Sequence, residues 1–366
     1  MYSVLAFLIV FGVIVFAHEL GHFICARRSG MGVEEFGFGF PPRLFGLKRG
    51  NTVYSINLIP LGGFVKIKGE NGENADDDDS FASKGIWKRA ATLGAGVFAN
   101  LILAYVIFTA GYAIGAPQAT DNLPADAIVT DAKVFVAEVL AGSPADAAGV
   151  KSEDVIRKVN GAVPADAEGL RALIKNSSGN IVLSLERGGS EKDVTVSPAV
   201  LKETGSRGIG VSLASAGTVR FPWYRAPVYA AEAVASIVGA IFAALWNLVL
   251  GLFAGNGAPV DVTGPIGIAA ATSAAARLGW SYLAEFTAIL SLNLAVLNII
   301  PFPALDGGRL LFLLVEALRR RPISRKIEGI VHESGFALLM LLVLVITWRD
   351  LVRYGGAITG FFKGMF

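Results

Sequence analysis

His18-Glu19-Leu20-Gly21-His22 lies inside the run from Leu5 to Cys25, which is otherwise almost wholly apolar. Two histidines four residues apart share one face of an α-helix, where their imidazoles can hold a zinc ion while the intervening glutamate reaches its bound water. In a soluble helix this spacing also arises by chance. At hydrocarbon depth the argument sharpens, because an ionisable residue there is costly and by default functional. The competing reading is a helix end whose polar residues meet lipid headgroups.

The whole chain agrees with a membrane setting. Of 366 residues, 53% are hydrophobic and 17% charged, with a mean hydropathy of +0.57, well outside the range of soluble globular proteins. A net charge of +2 without a large basic block argues against nucleic acid as a partner. The single cysteine, Cys25, excludes an intramolecular disulfide and a thiolate cage, so a metal must be held by nitrogen and oxygen. Met1 to Ala17 lacks a basic leading segment and a small-residue cleavage site, and is expected to be a retained span rather than a signal peptide.

Stretches able to cross about 30 Å of hydrocarbon, about 20 residues each, occur at roughly 2–25, 91–115, 281–304 and 334–352. Basic residues Arg27, Arg28, Arg43, Lys48, Arg49, Lys84, Lys88 and Arg89 place 26–89 in the cytoplasm, as Arg319 to Lys326 do for the loop before the last span. That parity leaves Val228 to Ala254, nearly as apolar, without a full crossing. It is expected to lie along the outer surface or to dip in and return, the alternative being a span that 264–280 re-crosses. Trp223, Trp280 and Trp348 fit interfacial anchoring.

Residues 116–225 change character: charged and turn-forming residues return, and short alternating runs such as Ile181 to Glu186 predict strands in a soluble domain facing outward. Val139-Leu-Ala-Gly142-Ser143-Pro144-Ala-Asp146-Ala-Ala-Gly149-Val150 predicts a strand, a short helix capped near Ser143 and ended at Gly149; Asp154 to Gly161 predicts a second strand and an Asn-Gly turn. This pattern resembles the PDZ family in its bacterial protease-associated form, which implies capture of extended peptide ends by strand addition. A plain spacer that blocks access is the alternative.

Two histidines are one ligand short of the three usual at a catalytic zinc. The candidate is Asp306, in Asn298-Ile-Ile-Pro301-Phe302-Pro303-Ala304-Leu305-Asp306-Gly307-Gly308. His18 lies about 24 Å along the first helix at 1.5 Å per residue. Asp306 comes at a matching depth in a segment travelling inward, where Pro301 and Pro303 are expected to break the helix and turn the aspartate toward the metal. At this point the chain resembles the site-2 proteases, and among them the bacterial regulator of sigma-E protease type of intramembrane zinc metalloprotease. The resemblance runs through His18 to His22, Gly37 to Leu44, Ile59 to Lys66, the PDZ-like insert, Gly264 to Ile268, and Asn298 to Gly308. It implies that His18, His22 and Asp306 hold Zn2+ and that Glu19 is catalytic. Known gamma-proteobacterial members carry two tandem PDZ domains, whereas 116–225 has room for one, so substrate gating is expected to differ.

A transmembrane substrate hides its carbonyls in its own hydrogen bonds and must unwind before it is cut. Two elements qualify to receive the freed backbone. The segment 53–68 reads as a β-hairpin whose edge, with Gly62, Gly63 and Phe64, could pair with substrate; the resemblance implies a membrane-reentrant β-loop here, and a purely structural hairpin is the alternative. Asn298 offers donor and acceptor on an apolar helix, and the family's equivalent asparagine is associated with substrate backbone; a helix-to-helix hydrogen bond is the alternative. Asn293 is expected only to pack, His332 to be a surface imidazole, and Asp76 to Asp79 to be a solvated face rather than a calcium loop.

The expected fold is an α-helical polytopic membrane protein of about four transmembrane helices, with a membrane-associated β-hairpin and an inserted PDZ-like α+β domain. Its divisions are 1–115, 116–225, 226–280 and 281–366. The expected setting is the bacterial inner membrane with the PDZ-like domain periplasmic, and the expected activity is zinc endoproteolysis of single-span proteins, anti-sigma-factor-like substrates or signal-peptide remnants. A non-catalytic scaffold is disfavoured by Glu19 and Asp306, which it would not need, and a transporter by the absence of repeated halves.

Overall fold

The apolar opening run forms one continuous helix, α1 (Tyr2–Arg28), with Arg27 and Arg28 in its last turn, where cations oppose the helix dipole favourably. The structure is a computed structural model that describes residues 2–120, 123–164, 166–177, 179–187, 189–201, 205–253, 263–321 and 323–363. It divides into two units, one of Met1–Thr109 with Pro227–Phe366 and one of Ala110–Ala226.

In the first unit α1 is followed by β1 (Val33–Arg49), β2 (Thr52–Ile67) and α2 (Ile86–Ile114). β1 and β2 are long and bent, so together they make four limbs, with residues 35–38 running parallel to 53–56 and antiparallel to 63–66. Glu35 to Phe38 pair with Val53 to Ile56 on one side and with Gly63 to Lys66 on the other, while Arg43 to Arg49 pair with the far side of Thr52 to Asn57. The limb Gly63–Ile67 is therefore a sheet edge. This enlarges the expected hairpin, because 33–49 reads as a cytoplasmic loop in sequence: its glycines and prolines mask the alternation of Phe36, Phe38 and Phe40. Phe36 packs on α1 through Phe16 and Phe23, with ring centroids 5.5 and 4.8 Å apart. Phe40, Leu44, Phe45, Leu47, Ile56 and Leu58 are exposed, an apolar surface left uncovered among the described residues.

The second unit carries β3 (Ala116–Ala119), β4 (Ile128–Val139), α3 (Pro144–Ala147), β5 (Val155–Val159), α4 (Ala167–Asn176), β6 (Ile181–Arg187), β7 (Ser190–Val196), β8 (Ala199–Val200), β9 (Arg207–Gly208) and β10 (Val211–Arg220). Six strands form an antiparallel sheet in the order β3-β10-β4-β5-β6-β7. Val136, Ile156, Leu170, Ile181, Leu183 and Val196 fill its core. The Ser143 side chain caps α3 by accepting the Asp146 N–H, and Asn160 and Gly161 both take positive φ, as an Asn-Gly turn requires.

The chain then forms α5 (Ala226–Phe253), α6 (Pro265–Leu278), α7 (Trp280–Ile299), α8 (Asp306–Arg319) and α9 (Arg325–Lys363) in the first unit's remainder. Among the described residues, five helices are long and apolar enough to cross a membrane: α1, α2, α5, α7 and α9. α5 is the stretch that parity leaves without a full crossing. Length and composition place α5 among them; residues 254–262 of the expected connector lie outside the described residues. α6, at 14 residues, rises only about 21 Å. Its N-terminus is held from α9, where the buried Asp350 carboxylate accepts the Gly264 and Gly267 N–H groups at 3.4 and 2.9 Å. The chain is a multi-pass membrane protein.

Candidate metal centre

His18 and His22 stand one turn apart on α1, each under a tenth exposed, against α2. The approach of the two helices is close because small residues face each other: a Cβ on Gly21 would lie 2.3 Å from the Ala95 carbonyl oxygen. Gly96 matters more directly, since a Cβ there would sit 2.4 Å from His22 Nε2 and 2.8 Å from His18 Nε2. The α2 backbone thus comes so near the two imidazoles that only glycine leaves them room.

Asp306 arrives from the other side as the first residue of α8. α7 ends at Ile299, and the loop through Pro301 and Pro303 turns the chain before the carboxylate. Gly307 and Gly308 are needed here, because a Cβ on either would lie 2.2 Å from the Ile300 oxygen or 2.3 Å from the Phe302 oxygen. α8 is tied to α2 by Arg89 and Glu316 at 2.6 Å, and to the segment after β2 by the ion pair of Arg309 with Glu70.

The three donor atoms converge. Asp306 Oδ2 is 3.0 Å from His18 Nε2 and 3.4 Å from His22 Nε2, and the two Nε2 atoms are 3.1 Å apart. Four ligands at about 2.0–2.1 Å around tetrahedral zinc stand roughly 3.3–3.4 Å from one another, so the spacing fits that ion. Among the described residues Asp306 Oδ2 is buried with no hydrogen-bond partner assigned, as a metal-ligating oxygen would be. Thr92 accepts from His22 Nδ1 at 2.7 Å, which leaves Nε2 unprotonated for a metal. Asn100, fully buried on α2, places its amide 3.4 Å from His18 Nδ1, and its Oδ1 has no partner. With the amide turned over, that oxygen accepts from Nδ1–H and serves His18 as Thr92 serves His22. Ser291 of α7 donates to the Asn100 backbone oxygen at 2.9 Å and pins this part of α2.

Glu19 points to the sheet edge, where its Oε2 accepts the Val65 N–H at 3.1 Å. A Cβ on Gly63 would come 3.9 Å from Glu19 Cγ. Gly62, at φ +110, lies against Val15 of α1, while Phe64 pairs with Gly37 inside the sheet. Asn298 sets its Nδ2 3.4 Å from His18 Nε2. Asn293 donates to the Ile289 oxygen of its own helix, and Asp77 and Asp79 pair with Lys68. His332 departs from expectation: it is no surface imidazole but accepts the Ala304 N–H through Nδ1 at 2.9 Å, because the loop before α8 folds back onto α9. The residues that sequence reasoning passed over are Gly96, Asn100, Thr92 and Val65. Only Gly94-Ala-Gly96 carried a signal, small residues spaced for close helix packing.

The profile of peptidase family M50 matches residues 6–342. The regulator of sigma-W protease RasP of Bacillus subtilis is 31% identical over 96% of this chain and 98% of its own length. The zinc metalloprotease RasP of Geobacillus kaustophilus is 32% identical, with the same coverage of 96% and 98%. Among solved structures, the PDZ domain of the SdrC-like protein from Listeria innocua aligns with 22% of this chain and 92% of its own at 19% identity, with a TM-score of 0.20 that is too low to establish a shared fold. From the span of the family profile and the near-complete coverage of the two RasP relatives, the chain belongs to peptidase family M50, the site-2 protease family of metalloproteases.

Proposed function

We propose that this chain cuts single-span membrane proteins with a zinc ion held by His18, His22 and Asp306. The observation that carries the reading is the convergence of those three donor atoms, all within 4.8 Å of one another, beside a glutamate hydrogen-bonded to a sheet edge. A bound zinc supplies Lewis acidity that makes water nucleophilic near neutral pH and polarises a carbonyl. Glu19 takes the proton of the attacking water on its carboxylate and returns it to the leaving amine. The edge Gly63–Val65 receives the unwound substrate as an added strand, and Asn298 binds a freed peptide group at the rim. The uncovered apolar side chains of the sheet then face lipid, which keeps this edge at the depth where helices are unwound.

The unit 110–226 acts outside the membrane as a PDZ-like size or end filter, and the protein resides in a bacterial inner membrane. A relative named as a regulator of sigma-W protease supports anti-sigma-factor-like substrates, cut to release a cytoplasmic fragment. Signal-peptide remnants are the second substrate class. The test is zinc content and cleavage of a model transmembrane peptide by wild type, Glu19→Gln and Asp306→Asn. Metal kept by the glutamate variant, weakened in the aspartate variant, and cutting lost in both is the expected pattern. Equal zinc in the wild type and Asp306→Asn would sink the reading.

A further inference from the structure

The loop that presents Asp306 is shaped by α9, an element that contributes no donor to the metal centre. Ala304, two residues before the aspartate, has φ +74, a left-handed conformation that alanine rarely adopts. Its N–H lies beyond the end of α7 and before the start of α8, so neither helix supplies its acceptor. His332 Nδ1 does, at 2.9 Å. The imidazole is steadied by the Phe312 ring of α8, with centroids 5.4 Å apart, and its Nε2 is buried without a partner, so no second hydrogen bond among the described residues pulls it elsewhere. One turn along α9, Gly335 lets the helix touch the same loop: a Cβ there would lie 2.3 Å from Pro303 Cβ and 2.8 Å from its oxygen.

We infer that His332 is a positioning residue for the metal centre, holding the Ala304 peptide and through it the direction of the Asp306 carboxylate. The inference rests on the reading of Asp306 as a zinc ligand. His332 touches neither metal nor substrate in this account; it fixes a strained peptide whose relaxation would swing the following two residues. An imidazole is suited to this because Nδ1 presents an acceptor close to its own backbone while the ring fills space against Phe312. Asparagine places its Oδ1 near the same point, whereas alanine removes the acceptor altogether.

The experiment uses the full chain in detergent and measures zinc affinity by competition with a chelator, alongside cleavage of a model transmembrane peptide and thermal unfolding. The variants are His332→Ala, His332→Asn, Glu333→Gln and Asp306→Asn. The expected result is a loss of about 10-fold or more in zinc affinity for His332→Ala, the scale seen when groups behind metal ligands are removed. His332→Asn recovers most of it, and Glu333→Gln stays at the wild-type value. Wild-type zinc affinity in His332→Ala, with Asp306→Asn still impaired, overturns the role of His332 alone. His332→Asn as impaired as His332→Ala, with both unfolding at the wild-type temperature, overturns it too. Unchanged zinc in Asp306→Asn overturns the underlying reading and this one with it.

Discussion

The two units bury charged groups in opposite ways. In the sheet unit, Asp154 is fully buried and fully satisfied: Arg187 reaches it through Nε and Nη2 at 2.6 Å each, and the Lys151 N–H donates at 2.8 Å. In the membrane unit, His18, His22 and Asp306 are packed just as closely, yet Asp306 Oδ2 is buried with no hydrogen-bond partner assigned among the described residues. A buried ionic group whose partners complete it is a structural device. A cluster of converging donor atoms without such a partner fits the cation proposed for it.

Crowding the imidazoles tests that contrast most severely. Gly96→Ala puts a methyl group against both His18 and His22, and zinc affinity should fall by more than about 100-fold, beyond the range for losses behind the ligands. Metal analysis of the purified variant would read it, and near-stoichiometric zinc would show that the donors meet elsewhere. Asn100→Ala should cost about 10- to 100-fold in zinc affinity by freeing the His18 ring, with Asn100→Asp recovering part of it through its retained oxygen acceptor.

On the other side of the comparison, Asp154→Asn should leave zinc affinity unchanged and lower the stability of the sheet unit. The expected loss is about 2–3 kcal/mol at neutral pH, less than the ~3–5 kcal/mol of a fully buried pair because Arg187 remains partly hydrated. Burial would by itself raise the Asp154 carboxyl, but Arg187 and the Lys151 N–H outweigh it and hold it below its ordinary value. A depressed carboxylate stabilises the fold above its unfolded value near pH ~3.9, and that contribution disappears as pH falls through the lower folded value. Thermal unfolding from pH 7 to 3 should therefore show a constant gap between wild type and variant that begins to narrow only below about pH 4. A gap that persists unchanged at pH 3 would mean that packing, not charge, carries the difference.

Much of this was legible in the chain. Periodicity and hydropathy place His18 and His22 on one face of a buried helix, and the broken helix before Asp306 follows from Pro301 and Pro303. Ser143, Gly149 and Asn160 announce their caps and turns through local backbone chemistry. The limb 33–49 was not legible, because its glycines serve strand crossings within the sheet and look like a loop when read locally. Nor was His332, whose partner is a backbone N–H in another element, or Val65, whose role depends on which face of the sheet meets α1.

The sequence by itself determined the kind of chemistry. Ligand spacing on a helix and the cost of charge in hydrocarbon are local properties, and they point to a pair of imidazoles with a glutamate between them as the proposed site. Only the tertiary structure decided how that pair is completed: which carboxylate comes near, which carbonyl and amide hold the rings, and which glycine keeps space between them. Those meetings depend on helix-to-helix distances of a fraction of a side chain, set by packing among residues far apart in the chain, and no local pattern encodes them.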